Sequence, residues 1–353
     1  MSYELNDKIK NLIPYEPISG TFEVRLDANE CPFGYEGELM EMAEKALKTV
    51  AFNRYPDPCC TALRKAFADF YGIDRKNVTV GNGSDELIFL IETAFLKKGD
   101  KMLVTSPDFS MYEFYASVCE VGSVKYLKNP RLDIDIDELI ATVNENDIAL
   151  VIFSNPCNPT GQGVSKNDCE KLLKSVNALV VLDEAYMDFW DESESFLGDV
   201  DSYDNLIVFR TASKALGSAA LRLGFAVANE TVSRAIAAVK SPYNVNSLSQ
   251  AIGCELYKNK EFLKNRLKTI VENTKLLYNN LLRVSENVSD FSPYPTKTNF
   301  VFIKTSAAKE LWSFLKDNSI AVRLMGDFLR ITAGTKAEIE KVINCIEKYY
   351  NKG

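Results

Sequence analysis

Histidine is absent from all 353 residues. That excludes Ser-His-Asp and Cys-His nucleophile pairs, His-containing zinc sites and every imidazole proton shuttle. Acid–base chemistry here falls to Lys, Tyr, Asp, Glu or Cys, or to a cofactor that brings its own. Long apolar runs are missing as well. No stretch approaches the roughly 18 residues of a membrane span, and the first residues have no apolar core of signal-peptide length. Dense Lys/Arg runs are also lacking and the net charge is -8, so neither a nucleic acid nor an anionic membrane is an expected partner. The eight cysteines form no C-x-x-C pair. They read as thiols of a cytoplasmic protein rather than a disulfide scaffold, and no metal site is expected.

What is present is the balance of an ordinary globular protein, 46% hydrophobic and 25% charged, long enough for about two domains. Short, often β-branched apolar runs at residues 77–80, 101–105, 123–127, 148–153, 178–182, 205–209 and 223–228 suit strands covered on both faces. Helical segments between them include 85–97, 110–119 and 166–176, so the expected fold is α/β with a mainly parallel central sheet. After Ser241 the texture changes. Leu263, Leu267, Ile270, Thr274, Leu277 and Leu281 keep helical spacing through 260–284. Strands at 299–304 and 328–332 and helices at 307–317 and 336–349 then suggest a smaller α+β domain. Residues 1–45 are expected to pack as an arm on that domain, with 46–245 forming the large domain and 246–353 the small one.

Four local patterns carry chemistry. In Val80-Gly81-Asn82-Gly83-Ser84-Asp85-Glu86 a strand passes through glycines into a helix start, where free N–H groups favour an anion; a plain helix cap is the bland alternative. Ser154-Asn155-Pro156-Cys157-Asn158-Pro159-Thr160-Gly161 stiffens the loop at a strand's carboxyl end, where parallel sheets place ligands, although any Asn-Pro tetrapeptide is also a turn. Asp183, in Leu182-Asp183-Glu184-Ala185-Tyr186, ends a buried strand and wants a cationic partner such as a protonated ring nitrogen, unless it merely caps the next segment. Tyr186 lies within reach of the same ligand. Finally, Thr211-Ala212-Ser213-Lys214 is followed by Arg222. A lysine is a poor nucleophile at its ordinary pKa of about 10.4, but as an imine to an aldehyde cofactor it needs no free amine. Thr211, Ser213 and Arg222 would supply hydroxyls and a guanidinium for a phosphate, while Lys214 taken alone reads as one more surface charge.

Together and in this order, the four patterns resemble the type I fold family of pyridoxal-phosphate enzymes, including its eight-residue step from lysine to arginine. Within it, Pro14-Tyr15-Glu16-Pro17, Asn29-Glu30, Arg54-Tyr55-Pro56-Asp57, Pro242-Tyr243-Asn244 and Leu329-Arg330-Ile331-Thr332 are similar to the histidinol-phosphate aminotransferase family over nearly the whole length. The resemblance implies pyridoxal 5'-phosphate on Lys214, with Asp183 at the ring nitrogen, Asn158 and Tyr186 at the phenolic oxygen and Phe109 stacked on the ring. Ser84, Asp85, Thr211, Ser213 and Arg222 would surround the phosphate, joined by Tyr55 of the neighbouring subunit of a homodimer with shared active sites. Arg330 would grip an α-carboxylate, and Arg323, Tyr15, Asn29 and Tyr112 would line the substrate. The implied reaction is transamination between L-histidinol phosphate and 2-oxoglutarate. Aromatic or broad-specificity aminotransferases and threonine-phosphate decarboxylases share the scaffold. Leu216, Ser218 and Ala220 depart from the family's usual Phe, Leu and Gly after the lysine, and Cys31 and Cys157 stand where Asn is common.

Overall fold

Alternation inside the apolar runs decides how the chain is layered. The computed structural model describes every residue except 1, 2, 11, 13, 15–17, 352 and 353. From the N-terminus come β1 (Val24–Arg25), α1 (Glu38–Leu47) and α2 (Thr61–Tyr71). The alternating stretch follows: β2 (Val78–Asn82), α3 (Ser84–Phe95), β3 (Lys101–Ser106), α4 (Met111–Val118), β4 (Gly122–Leu127), α5 (Ile136–Glu145), β5 (Ile148–Ser154), α6 (Lys166–Ser175), β6 (Leu179–Asp183), β7 (Leu206–Thr211) and β8 (Leu223–Ala228). Next are α7 (Glu230–Val239), α8 (Ser247–Lys258) and α9 (Lys260–Asn287). The chain closes with β9 (Ser292–Pro293), β10 (Phe300–Lys304), α10 (Ala308–Asp317), β11 (Ile320–Ala321), β12 (Arg323–Met325), β13 (Phe328–Thr332) and α11 (Lys336–Tyr350).

Strands β2 to β8 form one sheet in the order β2-β8-β7-β6-β5-β3-β4. Pairings from β7 through β4 are parallel, and β8 runs antiparallel to both its neighbours. The sheet is therefore mainly parallel, as expected. The reversal of β8 has a simple cause. A parallel return needs a crossover of a dozen or more residues, usually helical, and the β7–β8 connection holds only the short turn Ala219–Leu221. Successive side chains point to opposite faces. Val180, Leu182, Leu206 and Val208 pack against α2, α6 and α8 on one side. Val181, Ile207, Phe209 and Ile152 pack against α3, α4 and α7 on the other.

A second apolar cluster gathers β10, β13, α10 and α11 around Val301, Ile303, Leu311, Ile331 and Ile339. β1 pairs in parallel with β11, Val24 opposite Ile320, which ties the arm to this cluster. The long α9 belongs to both packing regions. Leu263 and Ile270 join the sheet's core, whereas Leu277, Leu281 and Val284 join the second cluster. Among the described residues no helix is long and apolar enough to cross a membrane, and no His/Cys/Asp/Glu group could hold a metal ion.

Candidate active site

The chemistry-bearing residues meet at one edge of the sheet because the strands that carry them point the same way. Ser154 at the end of β5 stands opposite Asp183 at the end of β6, and Asp183 stands opposite Phe209 on β7. Two successive antiparallel pairings through β8 make β2 run with β7, so Gly83 and Ser84 arrive at the same edge. Carboxyl ends of parallel strands are where such sheets bind ligands.

Asp183 is 4% exposed, and burial pushes its carboxyl up to about 6. Tyr112 donates its hydroxyl to Oδ2 at 2.8 Å and the Ala185 N–H donates to Oδ1 at 3.1 Å. No ion pair among the described residues reaches Asp183. A buried carboxylate held by neutral donors alone is costly to ionise, and a cationic ring nitrogen would remove that cost. Tyr112, expected among the substrate contacts, is instead fully buried beneath Asp183 and orients it. Phe109 lies edge-on to Tyr112, ring centroids 5.5 Å apart.

Lys214 follows the end of β7. Its Nζ donates to the Ala28 carbonyl at 3.1 Å and sits 5.8 Å from the Tyr186 ring centroid. The Tyr186 hydroxyl accepts from Asn29 Nδ2 at 2.9 Å. Asn29, in left-handed backbone at φ 54, is pinned by Thr332, which accepts its N–H at 3.0 Å, and by Asn299, which donates to its carbonyl at 3.2 Å. Thus the arm carries Asn29 between the sheet edge and the second cluster.

Ser84 opens α3 with no side-chain cap. Thr211 donates to Ser213 Oγ at 3.0 Å beside it. Arg222, also left-handed at φ 51, donates to Asp85 Oδ2 at 3.2 Å and sends its guanidinium past Gly83, where a Cβ would lie 2.6 Å from Nη2. Hydroxyls, a guanidinium and open helix N–H groups are a donor set suited to a phosphate dianion. These residues fit pyridoxal phosphate at both its ends.

The second cluster supplies the opposite wall. Arg330 Nη1 donates to Asn158 Oδ1 at 2.5 Å, and Nη2 donates to the Asp27 carbonyl at 2.7 Å. Arg323 stands directly opposite Arg330 across β12 and β13. Tyr15 lies outside the described residues. Tyr55 stacks on Tyr243 at 4.6 Å and is 80% exposed, facing away from this chain's own interior.

Two groups were missed. Asp108 accepts from Thr105 Oγ1 at 2.6 Å, from the Phe109 N–H at 2.8 Å and from Ser154 Oγ at 2.5 Å. Its signal was the one that singled out Asp183, a carboxylate just past a buried strand. Arg210, 2% exposed, pairs with Glu184 at 2.9 Å and Asp188 at 3.0 Å, locking the ends of β6 and β7 together. Its signal was a charge directly after an apolar run, on the same strand.

The sequence matches the family described as aminotransferase class I and II over residues 23–346. The chain belongs to the class I and II aminotransferases. This aminotransferase is 43% identical over 347 residues to the histidinol-phosphate aminotransferase of Clostridium novyi, covering 96% of this chain and 95% of that one. It is 35% identical to that of Pyrococcus furiosus, covering 97% of each. The crystal structure of histidinol-phosphate aminotransferase from Sinorhizobium meliloti in complex with pyridoxal-5'-phosphate superposes with a TM-score of 0.87 at 21% identity, covering 98% of each chain, a likeness of fold.

Proposed function

We propose that this aminotransferase is a homodimeric histidinol-phosphate aminotransferase that uses pyridoxal 5'-phosphate to exchange an amino group between L-histidinol phosphate and 2-oxoglutarate. The observation that carries the substrate reading is the 43% identity over 347 residues to the histidinol-phosphate aminotransferase of Clostridium novyi. Arg323 and Arg330 stand directly opposite in an antiparallel pair, so their side chains share one face. Glutamate and a phosphorylated amine both suit a site with more than one cation.

When bound, the cofactor supplies the electron sink that acidifies the amino acid's α carbon. The chain does the rest. Asp183, aimed by Tyr112 and the Ala185 N–H, holds its negative charge toward the ring nitrogen. Asn158 and Tyr186 bind the ring oxygen, and Phe109 stacks on the ring's face. Ser84, Asp85, Thr211, Ser213 and Arg222 grip the cofactor phosphate, with Tyr55 reaching in from the neighbouring subunit. Arg330 takes the α-carboxylate in a bidentate grip. Arg323 and Tyr15 hold the phosphate of the substrate. Lys214 Nζ would anchor the resting cofactor, then carry the proton from the α carbon to the cofactor, and run the same transfer backwards in the reverse half-reaction. With histidine absent, no imidazole competes for that role. Residues 46–245 form the cofactor-binding domain in this reading, with 1–45 and 246–353 closing the substrate side.

Half-reactions followed by the cofactor's absorbance test the proposal. L-histidinol phosphate should convert the spectrum of the yellow holoenzyme, phenylalanine and threonine phosphate should convert it far more slowly, and Lys214→Ala should lose turnover. Conversion by phenylalanine but not by histidinol phosphate would overturn the substrate assignment.

A further inference from the structure

Three strand ends meet on one carboxylate beside Phe109 and Asn158. β3 lies between β4 and β5 in the sheet, and all three run the same way. Asp108 follows the end of β3, Lys128 follows the end of β4, and Ser154 closes β5. The Asp108 and Lys128 side chains are 2% and 1% exposed, and Ser154 is buried with them. The two oxygens of Asp108 face different ways. Oδ2 accepts from Thr105 Oγ1 at 2.6 Å and lies 3.6 Å from Lys128 Nζ. Oδ1 accepts the Phe109 N–H at 2.8 Å and the Ser154 hydroxyl at 2.5 Å. Ser154 Oγ in turn accepts the Asn158 N–H at 3.0 Å. One oxygen thus reaches Phe109 directly and Asn158 through a single hydroxyl. Lys128 Nζ also donates to the Pro107 carbonyl and to the Cys157 sulfur, each at 2.9 Å, so the same ammonium braces both loops.

We propose that Asp108 is a positioning residue for the cofactor ring, with Oδ1 setting Phe109 and, through Ser154, Asn158, while Thr105 and Lys128 hold Oδ2. The proposal rests on the ring contacts given above to Phe109 and Asn158. A neutral side chain does not replace the carboxylate. Asn at position 108 keeps one acceptor oxygen, and its NH2, which only donates, must then face either the Phe109 N–H and Ser154 hydroxyl or the Lys128 ammonium. The ammonium is also left buried without its counter-charge. Ser154 is just as particular. A carboxylate accepts and an N–H donates, so only a group that does both can stand between them. Ala at position 154 cuts the link to Asn158 and leaves the Phe109 bond in place. Supporting hydrogen bonds of this kind keep a binding side chain within about 0.5 Å of its productive place.

The test reads the pH at which the holoenzyme's visible colour changes, together with cofactor affinity in a spectrophotometric titration. A hydrogen bond to the ring oxygen stabilises its anion and lowers that pH, so Asn158→Ala should raise it. Ser154→Ala should raise it in the same direction and weaken cofactor binding about tenfold. Combined with Asn158→Ala it should add nothing further, since both act through one contact. Asp108→Asn should show the same displacement and also weaken the visible circular dichroism of the bound cofactor, as Phe109 loosens. If that variant does not fold, Ser154→Ala decides. Thr105→Val removes a hydrogen bond from the other oxygen and should lower the melting temperature without moving either cofactor readout. Unmoved readouts in Ser154→Ala, with Asn158→Ala displaced, would overturn the positioning role alone. Equal displacement in Thr105→Val would reduce Asp108 to a support of the fold. An unmoved Asn158→Ala would overturn the role given to Asn158, and the relay with it, leaving the substrate assignment untouched.

Discussion

At the scale of single residues, Glu92 and Asp183 are two buried carboxyls whose uses differ. Glu92 on α3 is 1% exposed, neither of its oxygens has a hydrogen-bond partner, and burial pushes it up to about 8 from an ordinary 4.5. A carboxyl raised by folding favours the folded state when protonated. Its contribution is complete below about pH 4.5 and is lost as pH rises through about 8. Glu92→Gln, neutral at every pH, should therefore gain stability over the parent on going from pH 5 to pH 8, by on the order of 3 kcal/mol in urea unfolding. A gap that stays constant with pH would refute this. Asp183 carries the same sign in the cofactor-free protein, its contribution lost between an ordinary 3.8 and about 6. Asp183→Asn should leave the cofactor-free protein at pH 8 as stable as the parent, or up to about 3 kcal/mol more stable. It should nonetheless weaken cofactor binding about 100-fold in a spectrophotometric titration, because the ring nitrogen loses its counter-charge.

At the scale of elements, the proposed phosphate end depends on how closely β2 and β8 approach. Gly81 pairs with Gly224, and a Cβ on Gly224 would lie 2.4 Å from the Gly83 carbonyl carbon and 2.5 Å from the Ser84 nitrogen, both backbone atoms. Backbone cannot swing aside as a side chain can. Gly224→Ala should displace the start of α3, costing about 1–3 kcal/mol of stability and weakening cofactor binding more than tenfold. Unchanged cofactor affinity in that variant would place the phosphate elsewhere. The strand-to-loop junctions were legible in the sequence because each is local: an apolar run, then a turn, then a polar group. The partners of those groups were not. Asn29 meets Thr332, and Arg330 meets Asp27, across 303 positions in each case. No spacing rule reaches that far. Tyr112 was misplaced for the same reason, since a helix period gives its face but not the carboxyl beneath it.

At the scale of the whole molecule, Tyr55, Phe52 and Tyr243 leave aromatic surface exposed at 80%, 77% and 46%. In the proposed homodimer that surface meets the neighbouring subunit, and Tyr55 completes the neighbour's phosphate site. Tyr55→Ala and Lys214→Ala should each be nearly inactive alone. Unfolded together and refolded, they should recover about a quarter of parental activity, because each hybrid dimer then carries one intact site. Activity that stays flat on mixing would show that the sites are not shared.

By itself the sequence determined the layered α/β fold, since near-continuous apolar runs must be covered on both faces. It also singled out Lys214 as the proposed reacting group, since its motif needs no histidine and the chain has none. Tertiary structure decided the environment of each group. It reversed β8, set Tyr112 beneath Asp183, clamped Asn29 against Tyr186 and buried Lys128 against Cys157. Those contacts join segments distant along the chain, and desolvation, which lifts Asp183 to about 6, exists only once the surrounding elements have closed over it.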